Sequence, residues 1–354
     1  MILSGICFVI DASLIKAEFP EFESVAECAI VLQFLTEQLR KGDLHMQQYT
    51  YPCGRMSLHT REPKSNLLHR RKACMTISPK SPELIRIILI GDVVGKPGIN
   101  MLCDSILWLR QVLGADLIIA NAENAADGAG LTNVQYKKII SAGVDAVTLG
   151  DHIYRKKEIA ATLQSESNIV KPANFPASSP GKEYCVVITP NGTPVAVMSL
   201  LGRVFMRPVD CPFAAVARVL GCLPDEIKIR VIDFHAEATS DKQSMGRFLD
   251  GKVTAVLGTH THVPTADEEI FPGGTAFQCD VGMTGPYFSI LGRDIEPVLN
   301  TTVSFDPNSF HVATQDIRLS GTWIDADPIT GKAVRIARLQ LRPDELNNWR
   351  AAQQ

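Results

Sequence analysis

Ile85-Arg86-Ile87-Ile88-Leu89-Ile90 runs directly into Gly91-Asp92-Val93-Val94-Gly95. A short, near-continuous apolar run of this kind reads as a strand buried on both faces, the pattern of a parallel sheet covered on each side. The glycine-bounded stretch after it is a turn, and Pro97 suits the first turn of a helix running to about Leu113. The alternation continues downstream. Asp116 to Ala122 is a strand, Asn133 to Ala142 a helix, Asp145 to Leu149 a strand and Arg155 to Leu163 a helix. Strands alternating with helices imply βαβ units and a largely parallel sheet.

Further on, Tyr184 to Ile188 and Pro194 to Leu200 predict a hairpin around Asn191-Gly192. A helix near Phe213 to Leu220, a strand from Lys228 to Phe234, a helix from Ser240 to Leu249 and a strand from Val253 to Leu257 follow. After Asp280 the chain reads as β-rich, with strands at His311 to Leu319, Gly321 to Asp325 and Ala333 to Leu341 and a turn at Asp327 to Gly331. A second sheet stacked on the first, with helices outside, accounts for this, so the expected fold is a four-layer α/β/β/α sandwich. Its first sheet is mostly parallel and its C-terminal part β-rich. No internal repeat underlies the pattern.

Residues 1–84 differ. Val25 to Arg40 has the spacing of one amphipathic helix, and Lys41 to Pro82 is polar, without periodicity, and reads as linker or disorder. The expected organisation is an extension over 1–84, a main α/β domain over 85–342 and a tail over 343–354. Met75, just before the first strong strand, offers an alternative start. Met1 to Ile10 lacks a basic segment ahead of its apolar residues and makes a poor signal peptide.

Composition excludes some classes. The net charge is −3, and the 35 basic residues form no block that would bind duplex nucleic acid. No run of about 18 apolar residues predicts a membrane span. Nine cysteines, an odd number with no Cys-x-x-Cys pair, read as reduced thiols and so as a cytoplasmic protein.

Polar residues recur at one kind of place, the carboxyl end of a strand. These are Asp92, Glu123 with Asn124, Asp151 with His152, His235, and then His260 and His262 in Gly258-Thr259-His260-Thr261-His262. Ligand sites of open α/β sheets lie outside the carboxyl ends of the strands. Any one of these residues could be a turn former or a surface histidine; five successive sites using metal-ligand residue types are hard to assign to turns. In an extended run, His260 and His262 point to one side, because side chains alternate with period two. Three histidines and several carboxylates exceed what one tetrahedral ion needs. They suit two transition-metal ions about 3.5–4 Å apart, bridged by a carboxylate and a hydroxide, and that arrangement suits displacement at phosphorus. Mixed N/O donors favour Fe, Mn or Zn over Mg or Ca.

Asp92 in GDVVG, Glu123-Asn124 in NAEN, His152 in GDH, His235 in DFHAEATS and His260/His262 in GTHTHV resemble the calcineurin-like metallophosphoesterase superfamily, and within it the YmdB-like family. KPANFP, GRVFM, DCPF, TADE and DVGMTGP extend the match over roughly Ile85 to Leu341. The resemblance implies a phosphodiesterase acting on 2′,3′-cyclic nucleotides with two divalent or mixed-valence ions, Fe or Mn foremost and Zn as an alternative. It gives one ion Asp92, Glu123, Asn124 and His262, and the other Glu123, Asp151, His235 and His260, with Glu123 as the bridge. His152 becomes the general acid that protonates the departing oxygen. Where the family usually has Gly-Asn-His, this chain has Gly-Asp-His; Asp151 still offers an oxygen but adds a negative charge. Arg203 in GRVFM is a candidate for the substrate phosphate or for a surface ion pair. Glu237 and Thr239 read as supporting groups or as the start of the next helix. The expected partner is a small phosphodiester, with homo-oligomerisation open. Two other readings remain: a phosphomonoesterase or protein phosphatase with the same metals, and a regulatory nucleotide-binding protein with incidental turnover.

Overall fold

The computed structural model describes residues 79–353 together with Ile2–Leu3, Ile6–Cys7, Thr50–Tyr51 and Gly54–Arg55. The chain divides into two compact units, Met1–Cys74 and Met75–Gln354. In the first, Ile2–Leu3 pairs with Ile6–Cys7 and Thr50–Tyr51 with Gly54–Arg55, each antiparallel. The helix expected at Val25 to Arg40, and the linker beyond it up to residue 78 apart from Thr50–Tyr51 and Gly54–Arg55, lie outside the described residues.

The second unit holds two sheets. The first contains β1 (Ile85–Ile90), β2 (Asp92–Val93), β3 (Leu117–Asn121), β4 (Ala146–Thr148) and β5 (Ile169–Val170). The second contains β6 (Tyr184–Ile188), β7 (Pro194–Leu201), β8 (Ile229–His235), β9 (Ala255–Thr259), β10 (Glu269–Ile270) and β11 (Ala276–Gln278). The chain then returns to the first sheet with β12 (Met283–Pro286), β13 (Ile317–Ala326) and β14 (Ala333–Leu341). The first sheet runs β2-β12-β13-β1-β3-β4-β5, with β14 also on β13. The second runs β6-β7-β8-β9-β11-β10. Strands β1, β3, β4 and β5 are parallel, as are β7, β8, β9 and β11.

Period-two alternation separates three cores. Ile88 and Ile90 of β1 face the helices, where they join Leu102, Ile106 and Leu109 of α1 (Gly95–Gln111) and Ile139 of α2 (Asn133–Ala142). Ile85, Ile87 and Leu89 face the other way, packing with Val195 and Val197 of β7, Val231 of β8 and Leu257 of β9 between the sheets. On the outer face of the second sheet, Ile232, Phe234 and Val256 meet Val216 of α4 (Pro212–Cys222) and Met245 of α5 (Thr239–Phe248). The layers are therefore helix, sheet, sheet, helix, the sandwich expected from the sequence.

Several local expectations are corrected. The β-rich C-terminal region does not build the second sheet. β13 instead pairs antiparallel with β1, and β14 with β13. The strands expected at His311 to Leu319 and Gly321 to Asp325 form one strand, Ile317–Ala326, because all of residues 319–326 find partners on β14. The helix expected from Arg155 begins at Ile159 (α3, Ile159–Ser165). Arg155, Lys156 and Lys157 would put three cations at the positive end of a helix, so turns occupy that stretch. Two helices lie where none was expected, α6 (Ile295–Ser304) and α7 (Pro343–Ala351). The second falls in the stretch read as a tail. Among the described residues no helix is long and apolar enough to cross a membrane.

A buried ion pair links β1 to β13. Arg86 and Asp325 are both fully buried and joined by two bonds of 2.7 and 2.8 Å, and Arg335 adds a third contact at 2.7 Å. Asp325→Ala removes the carboxylate from a buried guanidinium. It is expected to cost about 3–5 kcal/mol, read as a lower denaturation midpoint; a loss under about 1 kcal/mol would refute this role for the pair.

Candidate metal centre

Between the sheets the apolar layer turns polar at the carboxyl ends of the strands. Asn121 and Thr148 come from the first sheet, and Asp233, His235 and Thr259 from the second, at the same period-two positions that carry Leu117, Ala146, Val231 and Leu257 further back. Asp233 is the hub. Its Oδ2 accepts from Thr148 Oγ1 (2.5 Å) and Asn121 Nδ2 (2.9 Å), and its Oδ1 from Thr259 Oγ1 (2.6 Å). Since the Thr259 proton goes to Asp233, its oxygen is left to accept from His235 Nδ1 at 2.9 Å. That bond makes Nδ1 a donor and turns Nε2 toward Glu123 Oε1 (3.1 Å) and Asp151 Oδ1 (3.2 Å).

His260 Nδ1 lies 2.9 Å from His235 Nε2 and 3.6 Å from Asp151 Oδ1. One ligand-type atom from each of Glu123, Asp151, His235 and His260 falls within 4.8 Å of the others. A second group adjoins it. Asn124 Nδ2 is 3.2 Å from both Asp92 Oδ1 and His262 Nε2, and 3.4 Å from Glu123 Oε1. As oriented, the Asn124 amide turns its NH₂ to these groups and its Oδ1 to His152 Nδ1 at 2.7 Å. His152 is further tied by its backbone N–H to Glu123 Oε2 at 3.0 Å.

The expectation that His260 and His262 lie on one side of an extended run is corrected. β9 ends at Thr259, and both histidines take positive φ, 97° and 65°. Non-glycine residues rarely adopt that region, which is found at sites where the surroundings over-determine the backbone. The bend sends the two rings apart, His260 toward Asp151 and His235, His262 toward Asp92 and Asn124. Asp280 pins the bend: its Oδ2 accepts from Thr261 N (3.0 Å), Thr261 Oγ1 (2.7 Å) and buried Lys242 (2.8 Å). Gly258 permits the close approach of β9 to this segment, since a Cβ there would stand 1.8 Å from the Cys279 carbonyl oxygen.

The charges of the cluster pull against its burial. Burial pushes the Asp92 carboxyl up, against the pull of His262 and His235. Burial also disfavours the Glu123 anion, but the charge and hydrogen bond of His235 outweigh it and hold that carboxyl below its usual range. Burial disfavours the Asp151 anion too, and there again His235 wins and the carboxyl is lowered. Burial opposes the His235 cation, yet Glu123, Asp151 and Asp92 raise it well above the ordinary histidine value. Burial and adjacent His235 bring His260 down to about 4. Buried carboxylates need a paired cation or a metal. Glu123 is fully buried, and its ion-pair partners among the described residues are the imidazoles of His235 and His152, with no lysine or arginine. A mixed set of carboxylate oxygens and imidazole nitrogens without a basic side chain fits a transition-metal ion.

An open cavity of about 280 Å³ adjoins the cluster, lined in part by Glu123, Asn124, His152, Glu237, His260 and His262. Arg203 is not among its lining residues; it is exposed, and its backbone N–H donates to Asp241 Oδ2 at 2.9 Å. No role for Asp233, Thr259, Asp280 or Arg293 follows from the sequence alone. Asp280 stands in DVGMTGP, but nothing local marks it as the acceptor for Thr261 and Lys242, which folding brings to it.

This fold and this cluster define a metal-dependent hydrolase of phosphoric esters. A model of the family described as YmdB-like protein matches residues 88–339, and the chain belongs to that family. It is 44% identical over 262 residues, 74% of this chain and 99% of the other, to the 2′,3′-cyclic-nucleotide 2′-phosphodiesterase of Bacillus subtilis (strain 168). A solved structure from Thermus thermophilus, described as a hypothetical protein, superposes with TM-score 0.69 at 39% identity, covering 73% of this chain and 99% of that one. A structure described as a novel phosphatase, from Mycoplasma pneumoniae, gives TM-score 0.69 at 31% identity, covering 75% and 96%.

Proposed function

We propose that this chain hydrolyses 2′,3′-cyclic nucleotides to 3′-nucleotides at a dinuclear transition-metal centre. The observation that carries the reading is the convergence of Glu123, Asp151, His235 and His260 beside a cavity that His152 also lines. The relative's specificity supplies the choice of cyclic nucleotide. In this proposal Glu123, Asp151, His235 and His260 hold one ion, and Asp92, Asn124 and His262, with Glu123 shared, hold the other. For Asn124 to serve as an oxygen ligand its amide must turn over, exchanging Oδ1 and Nδ2. Fe or Mn suits the donor set best, with Zn as the alternative. Bound there, the ions would supply an activated water and neutralise the phosphoryl oxygens.

The protein's own groups do the rest. Asp233 and Thr259 keep Nε2 of His235 free for the cluster. Asn124 engages Nδ1 of His152, which leaves Nε2 of that ring for the departing 2′ oxygen. His152 protonates that oxygen, so the alcohol leaves neutral and the phosphate stays on the 3′ oxygen. Five free cysteines among the described residues support a reducing, cytoplasmic setting.

The test is a comparison of substrates on protein stripped and then reloaded with Mn or Fe. A 2′,3′-cyclic nucleotide and bis-p-nitrophenyl phosphate are expected to turn over with much higher kcat/KM than p-nitrophenyl phosphate. Preference for the monoester would favour the phosphatase reading, and binding without turnover at full metal loading would favour a regulatory one.

A further inference from the structure

We infer that Glu237 is a charge filter, which admits singly charged phosphodiesters to this site and turns away doubly charged phosphate monoesters. The inference rests on the phosphodiesterase reading above and names the side chain that narrows it. Glu237 follows β8 by two residues and lines the cavity with its side chain about half exposed. Its Oε2 lies 3.1 Å from His260 Nε2. A carboxylate can only accept, so that nitrogen carries the proton and the Nδ1 lone pair is directed at the cluster. Oε1 accepts no hydrogen bond from any described residue, so the charge is not quenched inside the protein.

Among the described residues no lysine or arginine forms an ion pair with that carboxylate. Arg293 is the one lysine or arginine among the cavity's described lining residues. Its Nη1 donates to the carbonyls of Asp127 (2.8 Å) and Phe310 (3.1 Å), and its Nη2 to that of Gly128 (2.6 Å). A phosphate group entering the cavity therefore meets, beside the cluster, a carboxylate that no lysine or arginine among the described residues pairs with. A phosphodiester carries one negative charge; a monoester near neutral pH carries close to two, its second pKa being about 6. The second charge is the one Glu237 opposes. The same repulsion acts on the product. Hydrolysis adds water across one P–O bond, the alcohol oxygen takes one hydrogen, and the new monoester loses its second proton to solvent. The product thus gains the charge that favours its departure.

Glu237→Gln removes the charge while leaving an amide oxygen to accept from His260 Nε2; Glu237→Ala removes both. In metal-loaded full-length protein, the monoester-to-diester ratio of kcat/KM is expected to rise about tenfold in Glu237→Gln, the scale of one partly screened charge at close range. Inorganic phosphate, titrated by calorimetry, is expected to bind that variant roughly tenfold more tightly. Affinity for Mn²⁺, read by competition with a chelating dye, should match the wild type in Glu237→Gln and fall about 10–100-fold in Glu237→Ala. An unchanged ratio and unchanged phosphate affinity in Glu237→Gln, with a wild type that cleaves the diester, overturns the filter alone. A wild type that cleaves neither ester overturns the phosphodiesterase reading and the filter with it.

Discussion

Glu123→Gln is expected to lose phosphodiesterase activity by well over the roughly 10–100-fold typical of changes to groups behind a metal ligand, and to lose the metal-dependent rise in Tm. Glu123 is the residue that joins the two halves of the cluster. One of its oxygens lies 3.1 Å from His235 Nε2 and 3.4 Å from Asn124 Nδ2, and the other accepts the His152 backbone N–H at 3.0 Å. Glutamine keeps the volume and one carbonyl oxygen, so the packing survives. What it removes is a full charge on a fully buried side chain, where charge is worth most. An ion present at about 100 times its Kd stabilises the fold by roughly 2.7 kcal/mol, and a hundredfold weaker site forfeits most of that. The measurement is a pair of melting curves, metal-loaded and chelator-stripped, beside steady-state kinetics. The two curves should stand apart for the wild type and nearly coincide for the variant. A variant that keeps both the gap and the turnover removes Glu123 from the centre.

How far the sequence could be read follows from which forces are local. β1 and β3 were legible because strands buried on both faces leave continuous apolar runs, and α2 because Asn133 to Ala142 keeps helical spacing behind the Thr132 cap and ends at Gly143. The strand-end residues stood out for the same reason: each polar group interrupts an apolar run at a fixed place. α6 was hidden because none of its residues is buried and Thr301, Thr302 and Val303 favour strands. α7 did carry a signal in Pro343, Asp344 and Glu345, but only Leu346 is buried to give it an apolar stripe. The join of β13 to β1 pairs Asp325 with Arg86 across more than two hundred residues, and no local pattern encodes such a register. The roles of Asp233, Thr259 and Asp280 were invisible on the same ground, since each acts through a neighbour brought in by folding.

Asp280 shows what that tertiary layer contributes. Asp280→Ala leaves the buried ammonium of Lys242 without its carboxylate, which is expected to cost about 3–5 kcal/mol. It also strips the acceptor from Thr261 N–H, Thr261 Oγ1 and, through Oδ1, Gly282 N–H. The first effect concerns stability and the second concerns geometry, and a double variant separates them. Asp280→Leu with Lys242→Met replaces the ion pair by apolar groups, an exchange that is often neutral or stabilising. Its denaturation midpoint should return close to that of the wild type. Thr261 still has nothing to hold it, and His260 and His262 on either side sit at positive φ, a conformation that persists only where the surroundings impose it. The double variant is therefore expected to be folded, to bind Mn²⁺ about 10–100-fold more weakly and to remain impaired in turnover. Recovery of stability, metal affinity and kcat/KM together would reduce Asp280 to a partner for Lys242 and leave the bend at His260 to be explained by the strand ends alone.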